Sequence, residues 1–309
     1  MPGSIAARIP AGKGELSARP DNGPSYILGA MVHSLVEAFE QAIRGPDHAV
    51  DLFGAAMVIA RLGNPDLDPE PYSRLLDRWA EEVLDHAGSR CDPEELCQAI
   101  DWQLFHVLGF HGNSLDYGDP ANSYLDRVID RRSGIPITLS LVYMEVARRV
   151  GLRCDGVGFP GHFLVRCGDP AEPIYLDPFH QGVRLDEAEL LARLAALDLG
   201  GASPQMYLCA VTRRQILQRM LANLRAAYRE RSDLQRWLMA DELAITLEPW
   251  NVSLYGERGM LHYRLGNFEA ALADLETYAG GVRAESVRPG ALRLLAHLRA
   301  RLGRTEENP

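Results

Sequence analysis

Residues 136–151, PITLSLVYMEVARRVG, constrain this chain more than any other stretch. Proline at the first helical position has the right fixed φ and lacks only a donor that would go unpaired there. Leu139, Val142, Tyr143, Val146, Ala147 and Val150 recur at helical spacing, and Ile137 and Leu141 widen the stripe until most of the circumference is apolar. Such a helix must be central and covered on several sides. Gly151 supplies its C-terminal stop. Three short β segments follow, roughly 154–159, 162–167 and 173–177, with turns at Pro160-Gly161 and Gly168-Asp169-Pro170. They predict a hairpin-like antiparallel meander. His162 opens the second segment and Asp177 ends the third, so a hydrogen-bonded pair is expected. An aspartate that fixes a histidine tautomer is half of a nucleophilic triad. The other half is a thiol or hydroxyl beside the imidazole, favoured at a helix N-terminus, where the dipole depresses a thiol pKa. The helix start here is Pro136.

The flanking sequence reads as helices over 26–45, 49–62, 72–87 and 93–108, a polar loop FHGNSLDYGDPANSYL, a short helix over 123–132, and a helix over 185–198. Residues 1–25 are rich in Gly, Pro and Ser and lack an apolar centre; a disordered tail is expected, not a secretory signal. From 204 to 302 there is no strand signal, and a 34-residue period relates 218–251 to 252–285, the length of a tetratricopeptide repeat. Tyr255, Gly259, Gly266, Phe268, Ala271 and Tyr278 carry the second unit. Leu224, Tyr228, Ala244 and Pro249 carry the first, where Trp237 stands in place of a small residue. A last helix over 288–302 is expected to cover the end of the stack. The fold class is therefore α+β: a mostly helical N-terminal domain with a small antiparallel sheet, followed by an all-α repeat region.

Three longer motifs add a resemblance. NSYLDRVIDRRSGIPITLSLVYMEVARRVGL, GFPGHFLVR and YLDPF, with ARLGNPDLDPEPY upstream, resemble a bacterial family within the transglutaminase-like superfamily. Its members join a transglutaminase-like domain to tetratricopeptide repeats and are described as invasion-gene regulators or left uncharacterised. The resemblance covers roughly 30–285. Beyond the tail over 1–25, it implies a transglutaminase-like domain over 26–203 and a repeat domain over 204–309. It also implies catalytic roles for His162 and Asp177, with the catalytic cysteine at the position held by Pro136.

Substitute nucleophiles are Ser140, one turn deeper on the same helix face, then Thr138, Ser133, Cys154 and Cys167. Against these stand a hydroxyl bonded within its own helix and thiols serving as small apolar packing groups. Asn122, Tyr124 and Asp126, just before the helix, are candidate binding residues, with capping and loop bonding as the alternative. Nine histidines and five cysteines form no metal-ligand spacing, so neither a metal nor a cofactor is expected. The odd cysteine count fits reduced thiols in a cytoplasm. Basic pairs at 131–132, 148–149 and 213–214 read as solvated helix ends. The net charge of −10 opposes a nucleic-acid partner, and no run is long enough for a membrane span.

The sequence thus favours a non-catalytic, regulatory scaffold whose helical repeats bind a protein or peptide. An acyl-transfer or amide-hydrolysing enzyme with a non-standard nucleophile is the alternative.

Overall fold

The computed structural model describes residues 24–88, 92–283 and 288–304. The expected disordered tail lies outside the described residues up to position 23. Helices α1 (Pro24–Ala42), α2 (Leu52–Ala60), α3 (Glu70–Ala87) and α4 (Pro93–Asp101) come first. The predicted helix over 93–108 does not run through: after Asp101 the chain widens into a π-helical turn, Trp102–Val107. A capping box starts α4, with Asp92 and Glu95 each accepting from the other's backbone N–H.

Next, β1 (His111–Gly112) pairs in parallel with β2 (Ser133–Gly134), a two-residue ladder with no sequence signal, with α5 (Leu125–Arg131) between them. The central helix α6 (Pro136–Arg149) is buried at almost every position, as its apolar circumference requires. Behind it β3 (Cys154–Val157), β4 (Leu164–Cys167), β5 (Ile174–Asp177) and β6 (Val183–Leu185) form one antiparallel sheet in chain order. The meander thus has a fourth strand, short and exposed on two of three positions. Alternation decides the two faces. Phe163, Val165, Cys167 and Leu176 join the main core, while Val157, Leu164 and Tyr175 pack beneath α7 (Glu187–Ala195) with Leu190 and Leu194.

Helices α8 (Arg213–Glu230), α9 (Leu234–Leu247), α10 (Val252–Arg264) and α11 (Phe268–Gly281) form two antiparallel hairpins, and α12 (Pro289–Arg301) packs on α11 through Ala291, Leu295 and Leu298. The close crossing expected at Gly259 is present: a Cβ there would lie 3.3 Å from the Ala271 carbonyl oxygen and 3.0 Å from Leu275. The turns repeat at 34 residues, Ser232 answering Gly266, both at positive φ. The ion pairs repeat at 33. Arg225 meets Asp241 at 2.5 Å and Arg258 meets Asp274 at 2.7 Å. The two units are therefore offset by one residue within their helices. Arg225 also pairs with Glu257, and Arg258 with Glu242, so the ladder links α8 through α11.

The repeat region does not stand apart from the first. Ile216, Leu217, Met220, Leu221, Leu224 and Tyr228 of α8 belong to the same buried cluster as Phe39, Ile59, Leu125 and Val146. Arg131 and Arg148 are exposed helix ends, as expected, but Arg132, Arg149 and the pair at 213–214 serve as anchors. Asp47 accepts from the backbone N–H groups of Arg213 and Arg214 at the start of α8, at 3.0 Å each. The two guanidiniums donate back to the carbonyls of Val50 and Ile43, both at 2.6 Å. Arg149 is bonded to Glu145 and to Asp77, and Arg132 stacks over Trp79 at 4.4 Å.

One buried acid carries a prediction. Burial pushes the Asp101 carboxyl up to about 7, against the opposing influence of the nearby Tyr143 hydroxyl and the charge of Arg184. Gly182 lies on it: φ is +76° there, and a Cβ would come within 2.4 Å of Oδ1. A raised folded-state pKa means that the native protein holds an extra proton between the unfolded value, about 3.9, and about 7. Stability therefore falls as pH rises through that window. Asp101→Asn is expected to stabilise the protein by about 2–4 kcal/mol at pH 8 and by far less at pH 5. Denaturant melts at the two pH values check this; an equal effect at both would refute the charge argument.

Candidate functional site

The turn Pro160-Gly161, with Gly161 at φ +71°, ends before β4 begins at Leu164. His162 thus sits in the turn and not in the strand. Asp177 is the last residue of β5 and also caps the 3-10 turn Pro178–His180, its Oδ1 accepting from the N–H groups of Phe179 (3.0 Å) and His180 (3.3 Å). Oδ2 is left free to face His162, whose Nε2 lies at 2.7 Å. The expected pair is formed. Oδ2 also takes a second partner, Nδ1 of His180, at 2.7 Å. Burial alone would raise the Asp177 carboxyl; the hydrogen bonds and charge of the two imidazoles hold it below the usual carboxylate range. Phe179 stands edge-on to His162, 5.9 Å between ring centres, and its ring fills the space that a side chain at Gly112 would need.

His180 is the residue that reading the sequence missed. Its signal was the run DPFH: an aspartate capping a 3-10 turn brings the side chain three residues on back over itself. His162, Asp177 and His180 open on a cleft of about 510 Å³ walled by Leu164, Leu190 and Arg193. That cleft lies on the α7 side of the sheet, and no residue of α6 lines it. A larger cleft of about 830 Å³ lies between the α1–α2 connection, the end of α6 and the start of α8, and neither His162 nor Asp177 reaches it.

The substitute nucleophiles are not brought to the imidazole. Ser140 is fully buried in α6, and its Oγ has no hydrogen-bond partner among the described residues, not even the helix carbonyl expected for it. Thr138 accepts from the Ile135 N–H and donates to the Asn122 carbonyl at 2.8 Å, tying the helix start to the preceding loop. Ser133 sits in β2. Cys154 and Cys167 are not reduced thiols: they are opposite one another in the β3–β4 register, on the same face, and are joined as a disulfide. Cys97 is free but buried, and burial pushes its thiol up to about 12. Cys209 is free and exposed; Cys91 lies outside the described residues. Among the described residues no thiol or hydroxyl is hydrogen-bonded to His162.

Asn122, Tyr124 and Asp126 are buried and turned inward. Asn122 donates to the carbonyl of Asp116 at 2.7 Å and accepts from Asn113. The Tyr124 hydroxyl meets that of Tyr228 in α8. Asp126 takes a long bond from Asn64 and carries a carboxyl raised by burial. These three hold the loop and the joint between the two regions, away from the cleft.

Comparison with known proteins agrees with this architecture. Residues 70–222 match the transglutaminase-like superfamily and residues 224–298 a tetratricopeptide repeat. A UPF0162 protein of Xylella fastidiosa is 37% identical over 246 residues, covering 75% of this chain and 84% of that one. A UPF0162 protein of Vibrio cholerae is 28% identical over 237 residues, covering 74% and 86%. F-box only protein 21 of Mus musculus is 34% identical over 186 residues, which is 56% of this chain but 28% of that protein. The chain belongs to the UPF0162 family, built as a transglutaminase-like segment joined to tetratricopeptide repeats. Among the described residues no helix is long and apolar enough to cross a membrane.

Proposed function

We propose that this protein is a non-catalytic transglutaminase-like scaffold whose helical repeats engage a protein or peptide partner, in a regulatory role. One observation carries the reading. His162 and Asp177 are paired at 2.7 Å, yet the helix that should present a nucleophile starts with Pro136 and does not line their cleft. A base with nothing to deprotonate contributes no covalent catalysis. Nucleic acid is a poor partner for a chain of net charge −10. The intact His162–Asp177 bond favours one alternative, an acyl-transfer or amide-hydrolysing enzyme that draws its nucleophile from a bound molecule.

Two measurements on the full-length chain test the proposal. Incubated with glutaminyl peptides and a primary amine, it is expected to release no ammonia beyond the level of His162→Ala. A photoreactive residue replacing the exposed Met260 of α10 is expected to join a discrete partner in cells, and excess unlabelled chain should compete that product away. Turnover that vanishes in His162→Ala, with no competable crosslink, would sink the scaffold reading.

A further inference from the structure

Three metal-ligand side chains converge where the sequence shows no ligand spacing. His162 offers Nε2, Asp177 Oδ2 and His180 Nδ1, and all three atoms lie within 4.8 Å of one another. Two come from one turn: residues i and i+3 of a 3-10 turn are eclipsed, which places His180 over the aspartate that starts it. The third comes from the Gly161 turn on the neighbouring strand connection. Both imidazole nitrogens already sit 2.7 Å from the same carboxylate oxygen.

We propose that His162, Asp177 and His180 form a mononuclear site for a divalent transition-metal ion, zinc in the first place. The inference rests on the reading of His162 as a group with no nucleophile to serve. Two imidazoles and one carboxylate are a donor set suited to such ions. Tetrahedral bonds of about 2.0–2.2 Å set donors about 3.3 Å apart, so each imidazole nitrogen draws back about half an ångström from Oδ2, and the two nitrogens, which lie within 4.8 Å of each other, settle at the same spacing. His180 is well placed to do so, being 62% exposed at its side chain. The carboxylate needs no reorientation, because the backbone N–H groups of Phe179 and His180 hold its other oxygen, the outer-shell support that ligating carboxylates usually have. The three donors leave a fourth position facing the cleft of about 510 Å³, so the ion would be accessible to a small ligand and not sealed as a purely structural one.

Calorimetric titration of Zn²⁺ into the full-length, chelator-stripped chain tests the proposal, with Co²⁺ as a spectroscopic substitute. One equivalent is expected to bind with a micromolar or tighter Kd, and Co²⁺ is expected to show the intense visible absorption of a tetrahedral site. His180→Ala, a change at an exposed side chain whose effect on folding circular dichroism monitors, is expected to weaken binding at least tenfold and abolish that absorption. A Cys209→Ser variant is expected to bind as the parent does, which sets aside the exposed thiol. Absence of a saturable equivalent, or equal binding by the His180→Ala protein, overturns the site. Turnover by metal-stripped protein that depends on His162 would instead remove the non-catalytic reading, and the titration would still decide the metal site by itself.

Discussion

A chain ending at residue 205 is expected to show no cooperative thermal transition and to be digested rapidly by protease under conditions where the full chain survives. The cut removes Ile216, Leu217, Met220, Leu221, Leu224 and Tyr228, all at most 1% exposed, from a core they share with α1, α2, α5 and α6. Burying one such side chain is worth about 1.5–3 kcal/mol, so losing six costs on the order of 10 kcal/mol, comparable to the whole stability of an ordinary domain. The Asp47 cap and the arginine anchors onto Val50 and Ile43 go with them. A gentler version is Leu217→Ala in the full chain, expected to cost about 2–5 kcal/mol. A truncated protein that melts cooperatively within a few degrees of the parent would show that α8 is dispensable to the first region.

Arg258→Ala is expected to cost about 3–5 kcal/mol near neutral pH, the range found when one partner of a buried ion pair is removed. Arg258 is only 16% exposed at its side chain and satisfies two carboxylates, Asp274 at 2.7 Å and Glu242 at 2.6 Å. Without it both are left in place with no cation between them. Burial already pushes the Glu242 carboxyl up, and Arg258 is the group that opposes the shift. In the variant Glu242 rises further and takes up a proton in the native state before it does so unfolded. The deficit should therefore shrink as pH is lowered from 8 towards 5. Arg258→Met combined with Glu242→Gln and Asp274→Asn is expected to recover much of the loss, since replacing a whole buried charge set by neutral groups of similar shape is often tolerated. Denaturant melts of the two variants across pH separate charge from packing; a deficit that does not change with pH would assign the loss to packing alone.

The sequence was most readable where a local rule sufficed. The apolar circumference of α6, with proline before it and glycine after, fixed a central helix, and the same arithmetic placed the turns of β3–β5. The His162–Asp177 pair followed from that meander. The disulfide is legible too, although the odd cysteine count points away from it: spans of 154–159 and 162–167 joined by a tight turn set residue 154 opposite residue 167. Other features depend on encounters that no short window contains. A two-residue parallel ladder between β1 and β2 has no periodicity to detect. The apolar stripe of α8 says that something covers it, not that α2 and α6 do. The polar run at 122–126 suggested a binding edge, because side chains that bond inward to a distant tyrosine or loop carbonyl look the same in sequence as side chains offered to a ligand.

The way α8 is used has a mechanical and an evolutionary consequence. It completes the first core with one face and opens the helical stack with another, so the joint is a splice and not a hinge. A pull exerted by a partner on the repeats meets no slack linker: it loads α8 directly and, through Asp47 and the tyrosine pair, the elements around the central helix. For the same reason the two parts cannot be exchanged as ready-made cassettes. A recombination point drawn between them in sequence would cut through a shared interior, which reaches as far as Leu254 and Leu261 of α10.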